Sequence, residues 1–208
     1  MPFCFGCEEG HMKYKNIVFD FGNVIGRFDG RYMLEQFCPS SKDCDLLMPA
    51  VYARWNELDR GTLDYEEYVE HTVSAVPARL EEAVREFFRG WPDYISPIRD
   101  TAELIGELCE NEVPVYLLSN APVYFAEWAS DYDLLKKFSG TVFSAPLKMA
   151  KPDPQIYRYL FDTFSLKPEE CFFIDDLKEN IEAGRALGMD GIVFKGDIRE
   201  VKTALGMM

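Results

Sequence analysis

The 208-residue sequence contains no apolar run that approaches the roughly 18 residues needed by a membrane-spanning helix. The first dozen residues, Met1 to Met12, hold two glutamates and lack the apolar segment that a secretion signal carries. We therefore expect a cytoplasmic protein that has no membrane partner.

Basic residues are few, since 22 lysines and arginines face 36 acidic residues and the formal net charge is -14. This charge repels phosphate backbones and anionic lipids, so nucleic acid is not an expected partner. A small anionic substrate would need a local positive site, built from a metal ion, a lysine and helix N-termini.

Cysteines are sparse, because six of them are scattered along the chain without the density of a disulfide-stapled module. We expect them to be reduced. Cys4 and Cys7 form a Cys-x-x-Cys pair near His11, a spacing that could supply half of a zinc site, but no second pair follows to complete the coordination. We interpret residues 1–14 as an N-terminal extension.

Hydrophobic residues make up 48% of the chain and charged residues 28%, which is typical of a globular protein. Short apolar runs predict strands at residues 17–19, 113–118, 141–143, 171–174 and 191–194. Amphipathic patterns predict helices between and after them, at residues 100–109, 122–128, 153–164, 177–187 and 198–205. This alternation predicts an α/β fold with a doubly wound parallel sheet.

Residues 30–88 differ from the rest, because they show only helical patterns, with predicted helices at 51–58, 65–75 and 79–88. A helical block of about sixty residues is far longer than the roughly 2 to 6 residues of an ordinary connection between strand and helix. We therefore predict a small all-helical cap at residues 29–96, inserted into a core formed by residues 15–28 and 97–208. Glycine and proline mark hinges at residues 26–30 and 91–97.

Polar side chains follow four of the predicted strands: Asp20, then Ser119 with Asn120, then Lys151, then Asp175 with Asp176. Because parallel strands end at one edge of a sheet, these groups should converge there. Taken singly, each of these residues is also explained by a structural role in a turn, at a helix N-cap or on the solvated surface. Together they predict a catalytic site.

The residue types suit phosphoryl transfer. A carboxylate such as Asp20 can attack a phosphate monoester once a hard divalent cation offsets the repulsion between the two anions, and Mg²⁺ is the natural ion. We expect its ligands to be Asp20, the main-chain carbonyl of Gly22, and Asp176, with Asp175 close by. Glycine at position 22 is expected to permit the backbone turn.

The phosphate should be held by positive charge and hydrogen-bond donors. Lys151 is expected to neutralise the nucleophile and the phosphoryl oxygens. Ser119 and Asn120 precede Pro122, which marks the first turn of a helix, so hydroxyl, amide and helix N-terminus can bind phosphate together.

Four segments of this sequence resemble the motifs of the haloacid dehalogenase superfamily, at residues 19–24, 118–120, 151–154 and 174–177. The resemblance spans residues 15 to about 200. It implies a doubly wound, Rossmann-like core, a helical cap inserted after the first motif and an aspartyl-phosphate intermediate on Asp20. We expect a small phosphorylated metabolite as the partner of a monomer or homodimer. The first motif is most similar to the Asp-x-Gly-Asn branch, which includes phosphatases of glucose 1-phosphate.

One position departs from the family pattern. Family phosphatases usually carry a second aspartate two residues after the nucleophile, as general acid, and here that residue is Gly22. Three alternatives remain for the general acid. It could be Asp29, it could be another carboxylate that the cap brings in, or the reaction could use no acid at all. A sugar 1-phosphate would reduce the need for an acid because its leaving group is more acidic, and we therefore favour sugar 1-phosphates.

Two other functions remain open. A metal-independent 2-haloacid dehalogenase also lacks the second aspartate, but the acidic pair beside Asp20 would then be uncompensated and costly. A non-catalytic phosphate-binding domain would explain Gly22 as well. In the cap, Arg54, Trp55 and Arg60 are candidates to face the site, although a solvated helix face and a core tryptophan explain them more simply.

Overall fold

The computed structural model of the chain describes residues 12–207. The Cys-x-x-Cys pair, His11 and most of the segment interpreted as an N-terminal extension lie outside these residues. Within residues 12–207, every helix is too short or too polar to cross a membrane.

Residues 12–207 form seven strands: β1 (Asn16–Phe19), β2 (Gly26–Arg27), β3 (Ser96–Pro97), β4 (Val115–Ser119), β5 (Gly140–Phe143), β6 (Cys171–Asp175) and β7 (Asp190–Val193). Five of them form a parallel sheet in the order β5-β4-β1-β6-β7. The central strands β4, β1 and β6 are rich in β-branched, aromatic and leucine residues, which suit a sheet covered on both faces. The predicted α/β fold is confirmed.

Eleven α-helices accompany the strands in the described residues: α1 (Gly30–Glu35), α2 (Ser41–Tyr52), α3 (Trp55–Asp59), α4 (Tyr65–Ser74), α5 (Glu81–Gly90), α6 (Arg99–Glu110), α7 (Val123–Trp128), α8 (Ser144–Leu147), α9 (Pro154–Phe164), α10 (Lys178–Ala186) and α11 (Ile198–Leu205). Two separate apolar clusters show that helices cover both faces of the sheet. Helices α6 and α11 pack on one face, and α9 and α10 pack on the other. The sheet is therefore doubly wound, as predicted.

The predicted hinges meet in a small antiparallel sheet. Strand β2 pairs with β3, so that Gly26 lies opposite Pro97 and Arg27 opposite Ser96. Helices α1 to α5 lie between these strands, in the segment predicted as the cap. The cap segment contacts the core through aromatic rings: Trp91 stacks on Phe125 with centroids 5.6 Å apart, and Tyr65 on Tyr124 at 5.0 Å.

The predicted helix at residues 51–58 is wrong in its bounds. Helix α2 instead ends at Tyr52, and a separate helix, α3, begins at Trp55. At the break, the hydroxyl of Tyr68 accepts a hydrogen bond from the Arg54 amide at 3.2 Å and donates to the Val51 carbonyl at 3.0 Å. A distant side chain thus satisfies main-chain groups that a continuous helix would pair internally.

Candidate active site

The strand ends converge on one cavity of about 330 Å³. Among the predicted site residues, those that line it are Asp20, Gly22, Ser119, Asn120, Lys151 and Asp176. Asp175 does not line the cavity, because it is completely buried behind it at the end of β6. The prediction that Lys151 directly follows a strand is wrong, since helix α8 separates it from β5.

The ammonium group of Lys151 lies between two carboxylates. Its Nζ is 2.8 Å from Oδ1 of Asp20 and 2.7 Å from Oδ2 of Asp175, and the lysine is only 3% exposed. Burial alone would lower the pKa of Lys151, but the two carboxylates raise it. Burial raises the pKa of Asp20, while the charge of Lys151 opposes that effect and Asp175 adds to it. Lys151 therefore stays charged beside Asp20.

Helix α10 fixes the orientation of Asp175. The carboxylate accepts hydrogen bonds from the Leu177 amide at 2.8 Å and from the Asn180 side chain at 2.9 and 3.1 Å. The sequence analysis missed Asn180, which lies five residues beyond Asp175 in the first turn of α10. Asp175 and Asn180 thus form a rigid support for Lys151.

Three carboxylates form a cluster that fits a metal ion. One oxygen from each of Asp20, Asp175 and Asp176 can be chosen so that all three lie within 4.8 Å of one another. Together with Lys151 these groups carry a formal charge of −2 when ionised, which a divalent cation would neutralise. Carboxylate oxygens are hard ligands of the kind that suit Mg²⁺. Gly22 lines the same cavity, and its carbonyl as a ligand remains a prediction.

The turn after Asp20 depends on Asn23 rather than on glycine. Asn23 has a left-handed backbone with φ of 55°, whereas Gly22 does not, and no described atom lies within 4 Å of a Cβ placed on Gly22. The turn therefore does not use the conformational freedom of Gly22, which was expected to permit it. The Asn23 side chain donates to Asp176 at 3.1 Å and accepts from the Phe28 amide at 3.2 Å. It links the acidic cluster to the entrance of the cap.

The side chain of Asn120 holds the main chain of Lys151. Its Nδ2 donates to the Lys151 carbonyl at 2.9 Å, and its Oδ1 accepts from the Lys151 amide at 2.8 Å. Asn120 therefore positions the lysine. Phosphate binding by Ser119 and Asn120 remains a prediction.

Of the three candidates in the cap segment, only Trp55 lines the cavity. Arg54 pairs with Glu57 at 2.6 Å, and the exposed Arg60 does not reach the lining. Asp29 caps helix α1 by accepting a hydrogen bond from the Tyr32 amide at 3.0 Å, and it does not line the cavity either.

Sequence analysis missed Asp59, the last residue of α3, which lines the cavity with Asp20 and Lys151. Its Oδ1 is buried and has no hydrogen-bond partner among residues 12–207. Burial raises the pKa of Asp59 to about 8, with a further increase from the charge of Asp20 and an opposing effect of Lys151. The available sequence signal was its place just before Arg60, one of the residues named as candidates to face the site.

Apolar side chains form much of the remaining wall of the cavity: Phe21, Phe28, Trp55, Trp91, Ile95 and Phe125. The Trp55 ring lies 5.7 Å from Phe28 and 5.2 Å from Trp91, measured between centroids. Within the described residues, Lys151 is the only basic side chain in the lining. The site can thus neutralise one phosphate, and it offers the rest of a ligand an uncharged surface.

Comparison with known proteins gives consistent results. The chain is 27% identical over 188 residues to the D-ribitol-5-phosphate phosphatase of Bacteroides thetaiotaomicron, covering 85% of this chain and 89% of that protein. It is 25% identical over 141 residues to flavin mononucleotide hydrolase 1 of Arabidopsis thaliana, covering 68% of this chain but only 56% of that protein.

A solved structure of a haloacid dehalogenase-family enzyme from Bacteroides thetaiotaomicron, in complex with magnesium and inorganic phosphate, has the same fold. It superposes with a TM-score of 0.68 at 21% identity and covers 90% of this chain and 98% of that one. The sequence model of haloacid dehalogenase-like hydrolases matches residues 14–188. Because this match includes most of the chain and all of the strand ends that line the cavity, the chain belongs to the haloacid dehalogenase-like hydrolases.

Proposed function

We propose that the chain is a Mg²⁺-dependent phosphatase that hydrolyses a small phosphate monoester through an aspartyl-phosphate on Asp20. The main support for this proposal is the position of Lys151. Its ammonium group forms ion pairs with Asp20 and Asp175 within the acidic cluster at the cavity. A buried ammonium group beside a carboxylate nucleophile suits a reaction in which negative charge develops on phosphoryl oxygens.

In the proposed mechanism, an oxygen of Asp20 attacks phosphorus, and the bond to the leaving alcohol breaks. Water then attacks the phosphoryl group, releasing inorganic phosphate and restoring the Asp20 carboxylate. Asp20, Asp175 and Asp176 would hold Mg²⁺, which when bound offsets the repulsion between carboxylate and phosphate. Lys151 neutralises the phosphoryl oxygens, while Asn120 and Asp175 keep it in place.

We propose a phosphorylated sugar or a similar polyol as the substrate. The D-ribitol-5-phosphate phosphatase, which matches 85% of this chain, is named for such a substrate. The rings of Trp55 and Phe28 in the cavity wall suit the C–H faces of a sugar. A preference for 1-phosphates, as in the Asp-x-Gly-Asn branch, remains a prediction.

Neither alternative function gains support from a specific contact. A metal-independent dehalogenase would leave the cluster of Asp20, Asp175 and Asp176 with only Lys151 to balance it, which is electrostatically costly. A non-catalytic binding domain has no need for a buried lysine bonded to a carboxylate at the cavity wall.

The test is release of inorganic phosphate from a panel of sugar phosphates, nucleotides and 4-nitrophenyl phosphate, in Mg²⁺ or EDTA, by wild type and Asp20→Asn. We expect Mg²⁺-dependent release that the substitution abolishes. Halide release from 2-haloacids in EDTA would instead establish the dehalogenase. Binding of Mg²⁺ and phosphate without any turnover would establish the binding domain.

A further inference from the structure

The proposed phosphatase lacks an obvious proton donor for its leaving group. The residue two positions after Asp20 is Gly22, where phosphatases resembling this chain usually carry an aspartate. The leaving oxygen of an ordinary alcohol is a strong base, so its departure without a proton is slow. The donor must therefore be sought elsewhere along the cavity wall.

Few groups in the described lining of the cavity can exchange a proton. Its titratable side chains are Asp20, Asp59, Lys151 and Asp176. Asp20 is the nucleophile, Asp176 belongs to the cluster that fits the metal, and Lys151 is bonded to two carboxylates. Asp59 alone has no such role, and its Oδ1 has no hydrogen-bond partner within residues 12–207.

Asp59 is also held firmly over the site by the core. Its main-chain carbonyl accepts a hydrogen bond from the hydroxyl of Ser144, which is fully buried in α8. The same hydroxyl accepts a hydrogen bond from the Ala121 amide at 2.8 Å, two residues after Ser119. One hydroxyl thus fixes both the end of the cap helix α3 and the loop at the edge of the sheet.

We propose that Asp59 is the general acid and base of the reaction, in place of the aspartate that position 22 lacks. This inference rests on the proposed phosphatase function. In the first step Asp20 forms the bond to phosphorus, the bond to the leaving oxygen breaks, and that oxygen takes the proton of the Asp59 carboxyl. In the second step the Asp59 carboxylate takes a proton from the attacking water, and the bond between phosphorus and Asp20 breaks.

The environment of Asp59 agrees with this assignment. A permanently ionised carboxylate facing the phosphate would repel the substrate. Burial raises the pKa of Asp59 to about 8, so the carboxyl holds its proton at neutral pH before the reaction begins. The cap delivers this acid, which explains how a chain with Gly22 can act on an ordinary alkyl phosphate.

The experiment compares wild type and Asp59→Asn on two substrates that differ in their need for an acid. Nitrophenolate leaves without a proton, whereas the ordinary alcohol of a sugar 6-phosphate, the sugar phosphate chosen for this test, requires one. We expect Asp59→Asn to reduce turnover of the sugar phosphate by about 100-fold or more. With 4-nitrophenyl phosphate it should still release a rapid burst of about one nitrophenolate per enzyme, followed by slow turnover, because water lacks its base.

Two further variants sharpen the test. Asp29→Asn is the matched control, since Asp29 only caps α1 and asparagine caps equally well, so both rates should stay at the wild-type level. Gly22→Asp places a carboxylate where a Cβ meets no described atom within 4 Å. Combined with Asp59→Asn, it should restore turnover of the sugar phosphate.

The outcomes separate the two proposals. Equal losses on both substrates without a burst would mean that Asp59 has only a structural role, and the assignment would be overturned. An unchanged rate on the sugar phosphate would overturn it too. If the wild type itself releases no phosphate from any compound, the phosphatase proposal fails, and the role of Asp59 fails with it.

Discussion

The hydroxyl of Ser144 donates a hydrogen bond to the main-chain carbonyl of Asp59, across 85 positions of sequence. Ser144 begins helix α8 of the core, and Asp59 ends helix α3 in the cap segment. Next to this contact, a Cβ on Gly61 would lie 2.1 Å from the carbonyl oxygen of Ala145. The turn after α3 therefore sits against the main chain of the core, and this contact sets the place of Asp59.

Gly61→Ala tests this docking. Gly61 has a left-handed backbone with φ of 64°, and its neighbour is main chain, which cannot rotate away as a side chain can. We expect a loss of stability of about 1 to 3 kcal/mol, together with a drop in kcat as Asp59 moves. Urea unfolding and phosphate release measure the two effects.

Gly106→Ala is the matched control for that variant. Gly106 lies inside helix α6, and apart from the adjacent residues and backbone of that helix, no described atom lies within 4 Å of a Cβ placed there. Alanine should therefore increase stability by roughly 0.5 to 1 kcal/mol and leave activity unchanged. Wild-type activity in Gly61→Ala would show that the close approach to α8 has no part in placing the acid.

The core strands and the polar groups at their ends were predictable because the information is local. Each predicted strand is a short apolar run that overlaps an observed strand, and parallel strands necessarily end at one edge. Asp20 and Asp175 are brought together for this reason, although 155 positions separate them in the numbering.

The missed features depend on contacts between distant segments. The hydroxyl of Tyr68 in α4 bonds the main chain at Arg54, where the predicted helix is interrupted. The hydrophobic periodicity of residues 51–58 contains no information about this contact. Asp59 lies in the cavity wall where Ser144, 85 residues further along the chain, bonds its main-chain carbonyl. The open space beside Gly22 is likewise a property of the packed loop, which the sequence pattern could not reveal.

Magnesium should stabilise the folded protein. The cluster of Asp20, Asp175 and Asp176 is assembled only on folding, and a ligand at about 100 times its Kd stabilises the folded state by about 2.7 kcal/mol. We expect the melting temperature to rise with Mg²⁺ at constant ionic strength and to fall again in EDTA. This readout does not depend on catalysis.

Asp176→Asn should abolish that response while leaving the metal-free protein at least as stable, because burial raises the pKa of Asp176 and the charge is costly there. Asp131→Asn, at an exposed site outside the cavity lining, should retain the full rise in melting temperature. An equal response in Asp176→Asn would exclude its carboxylate from the metal site.

Asp59 should make stability depend on pH. Its folded-state pKa of about 8 lies above the ordinary value of 3.8, so the folded state retains a proton that the unfolded chain releases between these values. The contribution of Asp59 to stability therefore falls as pH rises from 3.8 to about 8 and is constant above that. Asparagine has no carboxyl group to titrate, so Asp59→Asn should lack this pH-dependent loss of stability.

In metal-free buffer, Asp59→Asn and wild type should have similar stability near pH 4, and the variant should be more stable by about 1 to 3 kcal/mol at pH 8. Urea unfolding across the pH range measures the difference. Asp64→Asn, at an exposed helix cap that asparagine can replace, should show no such trend. A constant difference between Asp59→Asn and wild type at all pH values would contradict the buried, unpaired carboxyl.

The uncharged wall of the cavity should select against a second anionic group on the substrate. Lys151 is the only basic side chain in the described lining, and two carboxylates already engage it. Placing an unpaired carboxylate there costs several kcal/mol, so kcat/KM for phosphoglycolate should be at least about 100-fold below that for a sugar monophosphate. Comparable values for the two would mean that a cation outside the lining reaches the bound substrate.

Trp55 should provide much of the binding energy for the neutral part of the substrate. Trp55→Leu shortens the wall beside Phe28 and Trp91, so we expect KM for sugar phosphates to rise by about tenfold with a smaller change in kcat. Trp128→Leu is the matched control, because Trp128 lies outside the cavity lining and bonds Asp93 at 2.9 Å. A fall in kcat without a rise in KM in Trp55→Leu would mean that Trp55 does not contact the bound substrate. Its ring would then serve to position Asp59, which lies at the end of the same helix.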